Sequence, residues 1–146
     1  MMELTVDKCV LVHCDSKAED AQQYREKSLA FLEHWKTNTQ LVACRNPGIA
    51  KEFSAMPPAG AEWWRSVVGQ SRYRDKKRVI RKPQRDDFRN RANVPLHGED
   101  FDYVDAASQS DSLLWLSNEA TWQNTAYRQR IQAQYRVQIQ NVNEYL

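Results

Sequence analysis

Glycine is scarce in this chain, with four in 146 residues, and none of the four falls in a G-x-G-x-x-G or Walker-type loop. Phosphate cradles built from backbone amides are therefore excluded, and with them several common nucleotide-binding enzyme classes. Cysteine is also sparse and odd in number: Cys9, Cys14 and Cys44, with no C-x-x-C pair. Neither a disulfide framework nor a structural zinc site is suggested, and buried, reduced thiols are expected. No apolar run approaches the roughly 18 to 20 residues of a membrane span, so no membrane partner is expected. Met1-Met2-Glu3-Leu4 lacks the basic-then-apolar pattern of a signal peptide, which makes a cytoplasmic location the expectation. His13, His34 and His97 share no metal-ligand spacing and read as structural. No serine pairs recognisably with a histidine and an aspartate, so serine hydrolase chemistry has no support.

What is present is enough for one folded domain spanning 1–146. Hydrophobic residues make up 41% of the chain and aromatics 10%, including five tryptophans. The run from Leu4 to Val12 is short, β-branched and apolar apart from Asp7 and Lys8, and predicts a strand buried on both faces. An amphipathic helix is expected from about Lys17 to Lys36, capped near Asp15-Ser16, and a second strand at Gln40–Cys44. Asn46-Pro47 offers an N-cap and a first-turn proline for a helix from Gly48 to Met56. Further on, Phe101–Ala107 reads as a helix, Ser112–Ser117 as a strand, Thr121–Tyr135 as a helix and Arg136–Gln140 as a last strand. Between them lies a basic helical insert at 61–95, whose Trp63-Trp64 pair reads as core. Alternating strands and helices predict an α/β, three-layer fold, with a mostly parallel sheet of four to five strands covered by helices on both faces. Sites in such sheets form at the carboxyl ends of strands.

Four acids fall at such positions. Asp7 lies in the first strand, Glu52 on the helix after the second, Asp100 at a helix start and Glu119 just past the third strand. Glu99, Asp102 and Asp105 compete with Asp100 for its role. Clustered carboxylates need a compensating cation, and oxygen-only ligands favour Mg²⁺ or Mn²⁺, whose usual work is to activate water for phosphodiester cleavage.

The ordered motifs around these acids resemble the PIN-domain nucleases over nearly the whole chain. Thr5-Val6-Asp7-Lys8-Cys9-Val10-Leu11-Val12 is similar to that family's opening motif. Asn46-Pro47-Gly48-Ile49-Ala50-Lys51-Glu52-Phe53 resembles its second, which supplies a glutamate, and the segment from Asp100 to Ala107 its third. Trp115-Leu116-Ser117-Asn118-Glu119-Ala120-Thr121-Trp122 resembles its Thr-x-Asp turn, and the segment from Tyr135 to Leu146 its closing strand and helix. The resemblance implies a PIN-like fold and a metal-dependent endoribonuclease. Asp7, Glu52, Asp100 and Glu119 would then be catalytic, with Asp7, Asp100 and Glu119 holding Mg²⁺ or Mn²⁺. It also implies RNA as substrate, an antitoxin-type protein partner and a homodimer. Three residues depart from the family pattern: Lys8 replaces a small hydroxyl residue, Cys9 an asparagine and Glu119 an aspartate. An inward-turned Lys8 ammonium would compete with a metal.

Arg65 to Arg91 holds eleven Lys and Arg against three Asp, a local balance of +8 in a chain of net charge +2. Its centre interleaves cations with aromatic and apolar residues, as an RNA surface requires, through Arg72, Arg74, Lys76, Lys77, Arg78, Arg81 and Lys82. Two alternatives stay open: a catalytically impaired PIN-like domain that binds RNA or protein, and a basic docking surface for an acidic protein.

Overall fold

A computed structural model describes residues 1–146, except for the side chain of Asp20. Five strands, β1 (Met2–Val6), β2 (Leu41–Arg45), β3 (Tyr73–Asp75), β4 (Leu114–Leu116) and β5 (Gln138–Gln140), form one sheet in the order β3-β2-β1-β4-β5. Every pairing is parallel, and β1 lies at the centre. Leu4, Thr5 and Val6 are buried because helices cover both faces of that strand.

The helices are α1 (Lys8–Asp15), α2 (Gln22–Thr37), α3 (Pro47–Phe53), α4 (Pro58–Gly69), α5 (Lys82–Ala92), α6 (Asp100–Ser108), α7 (Thr125–Tyr135) and α8 (Val142–Tyr145). From β1 the chain steps outward to β2 and β3, then returns across the sheet to β4 and β5. Right-handed crossovers place the helices of these two halves on opposite faces. On one, α1, α2 and α4 pack together and α8 closes on α2. On the other, Phe88, Phe101 and Tyr135 join α5, α6 and α7 through edge-to-face ring contacts. Helix α6 packs against β1, β2 and β4, and all its residues from Asp100 to Ala107 are buried.

The first strand ends earlier than its apolar run predicts. Asp7 donates its N–H to the Leu116 carbonyl as the last rung of the ladder and then caps α1, accepting the Cys9 N–H at 3.1 Å. Residues 8 to 12 are therefore helical, with Val10 and Leu11 buried and the helix packed on α2 and α4. A buried apolar run is compatible with strand or helix, and here the N-cap aspartate decides. Ser16, expected to cap the next helix, instead ends α1, and a 3₁₀ turn at Glu19–Ala21 leads into α2. Tyr24, Ser28, Phe31 and Trp35 form the buried face of α2. The Asn46 cap and Pro47 stand as expected, with Asn46 accepting the Ile49 N–H at 2.9 Å. The predicted helix from Thr121 is divided by Asn124, whose side chain caps α7 after a 3₁₀ turn at Ala120–Gln123.

The 61–95 segment, expected to be a helical insert, supplies the edge strand β3. Three residues, two of them charged, give almost no strand signal. What fixes them is register: Arg45 and Asp75 are paired and bridge side chains at 2.8 Å, while the Arg45 guanidinium lies 3.8 Å from the Tyr73 ring centre. The Trp63-Trp64 pair is core, as read: Trp63 sits edge-on to Trp35, and Trp64 stacks on Phe53. Cys14 and Cys44 are buried, Cys9 is partly buried, and all three are free thiols.

Arg72 belongs to this architecture and is not a surface cation. Its guanidinium is buried against the Trp35 ring and donates to the carbonyls of Trp35, Asn38 and Leu41 at 2.8–3.3 Å. Truncation would orphan carbonyls at the end of α2, at a cost of about 1–3 kcal/mol each where burial persists. We expect Arg72→Ala to lower unfolding free energy in a urea titration by about 2–4 kcal/mol, with Arg72→Lys recovering only part because a lysine lacks the planar fork.

Candidate functional site

The reversal of strand order between β1 and β4 opens a crevice at their carboxyl ends, the usual location of sites in open parallel sheets. The β1–β4 register pairs Thr5 with Trp115 and Val6 with Leu116, so the next residues, Asp7 and Ser117, leave the sheet side by side. Asp7 is 1% exposed. One of its carboxylate oxygens accepts the Cys9 N–H; the other accepts Trp115 Nε1 at 3.2 Å and Ser117 Oγ at 3.1 Å. All three partners are neutral dipoles. Trp115 is itself fixed between the stacked ring of Tyr103 and the tilted ring of Trp122.

Glu119 follows two residues after Ser117 and donates its N–H to the same serine oxygen at 3.3 Å. Asp100 enters from the start of α6, where it accepts the His97 N–H at 2.8 Å. Burial pushes the Asp7 carboxyl up to about 7, repulsion from Glu119 adds to this, and the Cys9 hydrogen bonds oppose it. Repulsion from Asp100 acts in the same direction as burial. Asp100 is raised to about 6, chiefly by burial, and Glu119 again contributes while the His97 N–H opposes. The fold therefore brings Asp7, Asp100 and Glu119 into electrostatic contact. Of the competing acids on α6, Asp102 pairs with Arg78 at 3.0 Å, and Asp105 accepts the Val79 and Ile80 N–H groups.

Glu52 stands apart from these three. Lys8 turns to it, Nζ to Oε1 3.8 Å, and the Tyr103 hydroxyl donates to its other oxygen. Burial raises the Glu52 carboxyl, with the Tyr103 bond and the Lys8 charge opposing. Tyr103, whose hydroxyl also accepts the Lys8 N–H at 3.2 Å, stands between Glu52 and Asp7.

Cys9 belongs to the centre. Its sulfur accepts the Asn118 N–H at 3.2 Å and lies 3.6 Å from Ser117 Oγ. One ligand atom each from Asp7, Cys9 and Glu119 lie within 4.8 Å of one another. The donor chemistry fits a divalent cation: the Glu119 charge raises the proton affinity of both Asp7 and Asp100, and only neutral donors hold Asp7, the most buried of the three. Asp7, Cys9 and Glu119 stand close enough together to hold such an ion, whereas Asp100, expected from the sequence to join Asp7 and Glu119, lies outside that group.

The cations expected to contact RNA are dispersed. Besides the buried Arg72, Lys76 is paired with Glu3 at 2.7 Å, mostly out of solvent, and Arg74 points to the Tyr73 carbonyl and the Met1 sulfur. Lys77, Arg81 and Lys82 are exposed. Arg78 turns inward to Asp102. With Lys8, Lys51 and Arg85 it lines an open cleft of about 520 Å³, whose acidic wall is Glu52, Glu99 and Asp102. Sequence reasoning passed over Lys51, Arg85, Tyr103, Ser117 and Trp115. A signal existed for the last two, because strand alternation puts residues 115 and 117 on one side.

Between about pH 4 and pH 7 the folded state keeps a proton on Asp7 that the unfolded chain releases near 3.8. The folded state then binds more protons, so this contribution is complete below pH 4 and lost as pH rises to 7. Metal-free protein should lose stability across that window by on the order of 4 kcal/mol, with Asp100 acting in the same direction, and Asp7→Asn should flatten the curve. Urea midpoints measured every half pH unit check this; a wild-type curve that rises from pH 4 to 7 would contradict it. No family model, curated protein or solved structure matches the chain.

Proposed function

We propose that the protein is a metal-dependent endoribonuclease of PIN-domain type, with Asp7, Asp100 and Glu119 as its Mg²⁺- or Mn²⁺-holding centre. The observation that carries this reading is that Asp7 and Glu119 lie together at the carboxyl ends of β1 and β4, with Glu119 acting electrostatically on Asp7 and Asp100 alike. Their order along the chain, within motifs resembling the PIN-domain nucleases, supports it.

When bound, the divalent ion supplies an activated water and charge stabilisation at a phosphodiester. The chain's own residues do the positioning. Ser117 links two of the acids, donating to the Asp7 carboxylate and accepting the Glu119 N–H, so both are referred to one hydroxyl. The Trp115 indole and the Cys9 N–H remove the remaining freedom of Asp7, and the His97 N–H does the same for Asp100. Such outer partners fix the orientation of metal-holding carboxylates. Lys51 and Arg85 on the cleft beside the centre attract the RNA backbone, and Arg78 and Lys8 add to this while paired with acids.

Asp7→Asn should reduce Mn²⁺-dependent cleavage of a mixed RNA pool by at least about a hundredfold, the scale of a lost centre. Unchanged cleavage in that variant would remove the carboxylate mechanism. RNA bound tightly by wild type but never cut, with any divalent ion, would favour the binding-only reading.

The RNA path carries a separate expectation. Charge reversal at Lys51 and Arg85 together should weaken RNA binding at low salt by at least about tenfold and make the salt dependence shallower. Reversal at Arg81 and Lys82 should change it much less. Filter binding across a salt series tests the pair against each other, and the opposite ranking would move the RNA to the outer basic segment.

A further inference from the structure

Cys14 and Cys44 are packed as small apolar groups; Cys9 is not. Cys14 donates to the Val10 carbonyl inside its own helix, and Cys44 is buried on β2. The Cys9 sulfur instead accepts the Asn118 N–H and faces the Asp7 and Glu119 carboxylates. A PIN-type centre is an all-oxygen site, suited to hard ions, whereas a sulfur ligand favours ions of the zinc class.

The spacing is close to what a tetrahedral ion asks. With bonds of about 2.3 Å to sulfur and 2.0–2.2 Å to oxygen, ligand atoms stand roughly 3.4–3.7 Å apart. Those of Asp7, Cys9 and Glu119 lie within 4.8 Å of one another, so closure needs a movement of about 1.4 Å at most. Asp7 is held by three donors and Cys9 is fixed in the first turn of α1, so the movement falls to the half-buried Glu119. Its side chain has the extra methylene that an aspartate would lack.

We propose that Cys9 is a protein ligand of this centre and that it makes the centre prefer Zn²⁺-class cations to Mg²⁺. This rests on the metal-centre reading above, keeps Asp7 and Glu119 as ligands, and shifts the favoured ion from Mg²⁺ to the Zn²⁺ class. On binding, the Cys9 S–H bond breaks, a metal–sulfur bond forms and the proton leaves to solvent, with no change of oxidation state. The Asn118 N–H remains as a hydrogen bond to the bound sulfur, the kind of outer-shell contact that tunes such ligands.

Cd²⁺ is the probe, because cadmium bound to a thiolate gives an ultraviolet charge-transfer band that carboxylates do not. The full-length, metal-free chain is titrated with Cd²⁺ by absorbance and, separately, with Mn²⁺ by calorimetry. Cys9→Ser and Cys9→Ala are run alongside, with thermal melts to verify folding. The expected result is a band saturating at one ion per chain and lost in both variants. Cd²⁺ affinity should fall at least about tenfold, the lower end of what even an outer-shell loss costs, while Mn²⁺ affinity stays within about twofold. Cadmium binding without the band, or a band that persists in both variants, overturns the assignment of Cys9 while leaving the carboxylate centre standing. Failure of wild type to bind either ion overturns the centre and the assignment together.

Discussion

A buried carboxylate held only by neutral donors is the constraint on which this structure turns. Asp7 sits where the central strand stops and the first helix starts, and its three hydrogen bonds reach into α1, β4 and the loop after β4. Those contacts cap a helix, order the Trp115 indole and fix Ser117, so the geometry of both halves of the sheet meets at one side chain. They do not neutralise it. Burial and the facing Glu119 hold its proton affinity near neutrality, well above that of an ordinary aspartate. A site of this kind stores electrostatic cost that the surrounding packing must offset, and a bound cation is what would relieve it.

The packing that offsets it is aromatic. Trp115 is clasped by Tyr103 and Trp122, and Trp35 by Trp63, Phe31 and the Arg72 guanidinium. Tyr103 takes part in both systems: its ring stacks on Trp115, while its hydroxyl bonds Glu52 and accepts the Lys8 N–H. The separation of Glu52 from the other three acids is therefore a packing result, since a large, buried aromatic occupies the space between.

Much of the fold was legible because parallel sheets announce themselves as short apolar runs alternating with amphipathic helices. Four of the five strands and the Asn46-Pro47 helix start were read in place. The failures have distinct physical causes. Residues 8 to 12 were read as strand because an apolar run buried on all sides has no period, and the capping role of Asp7 was masked by its expected role as an acid. Strand β3 was missed because a three-residue edge strand is held by its neighbour, not by its own propensity. At the site, chain order and motif resemblance named Asp7, Glu52, Asp100 and Glu119, but which side chains meet is a three-dimensional fact: Cys9 lies with Asp7 and Glu119, and Glu52 pairs with Lys8. No sequence pattern says that Arg72 bonds three carbonyls while Arg78 reaches the cleft.

Lys8 shows how a charge that looks disabling in sequence is rendered local by geometry. As the first residue of α1 it follows Asp7 directly, yet its ammonium lies 3.8 Å from Glu52. A helix start sends consecutive side chains in directions about 100° apart, so neighbours in sequence address different surfaces. The lysine thus discharges the one acid that Tyr103 already isolates, and leaves Asp7, Asp100 and Glu119 facing one another. Its side chain is 44% exposed, so the pair is weakened by solvent, and a polyanion entering the cleft can draw the lysine off Glu52. On that argument Lys8 and Glu52 act on the same polyanion in opposite directions. The lysine charge is thereby committed to Glu52 and the open cleft, not to Asp7, which keeps only neutral hydrogen-bond donors.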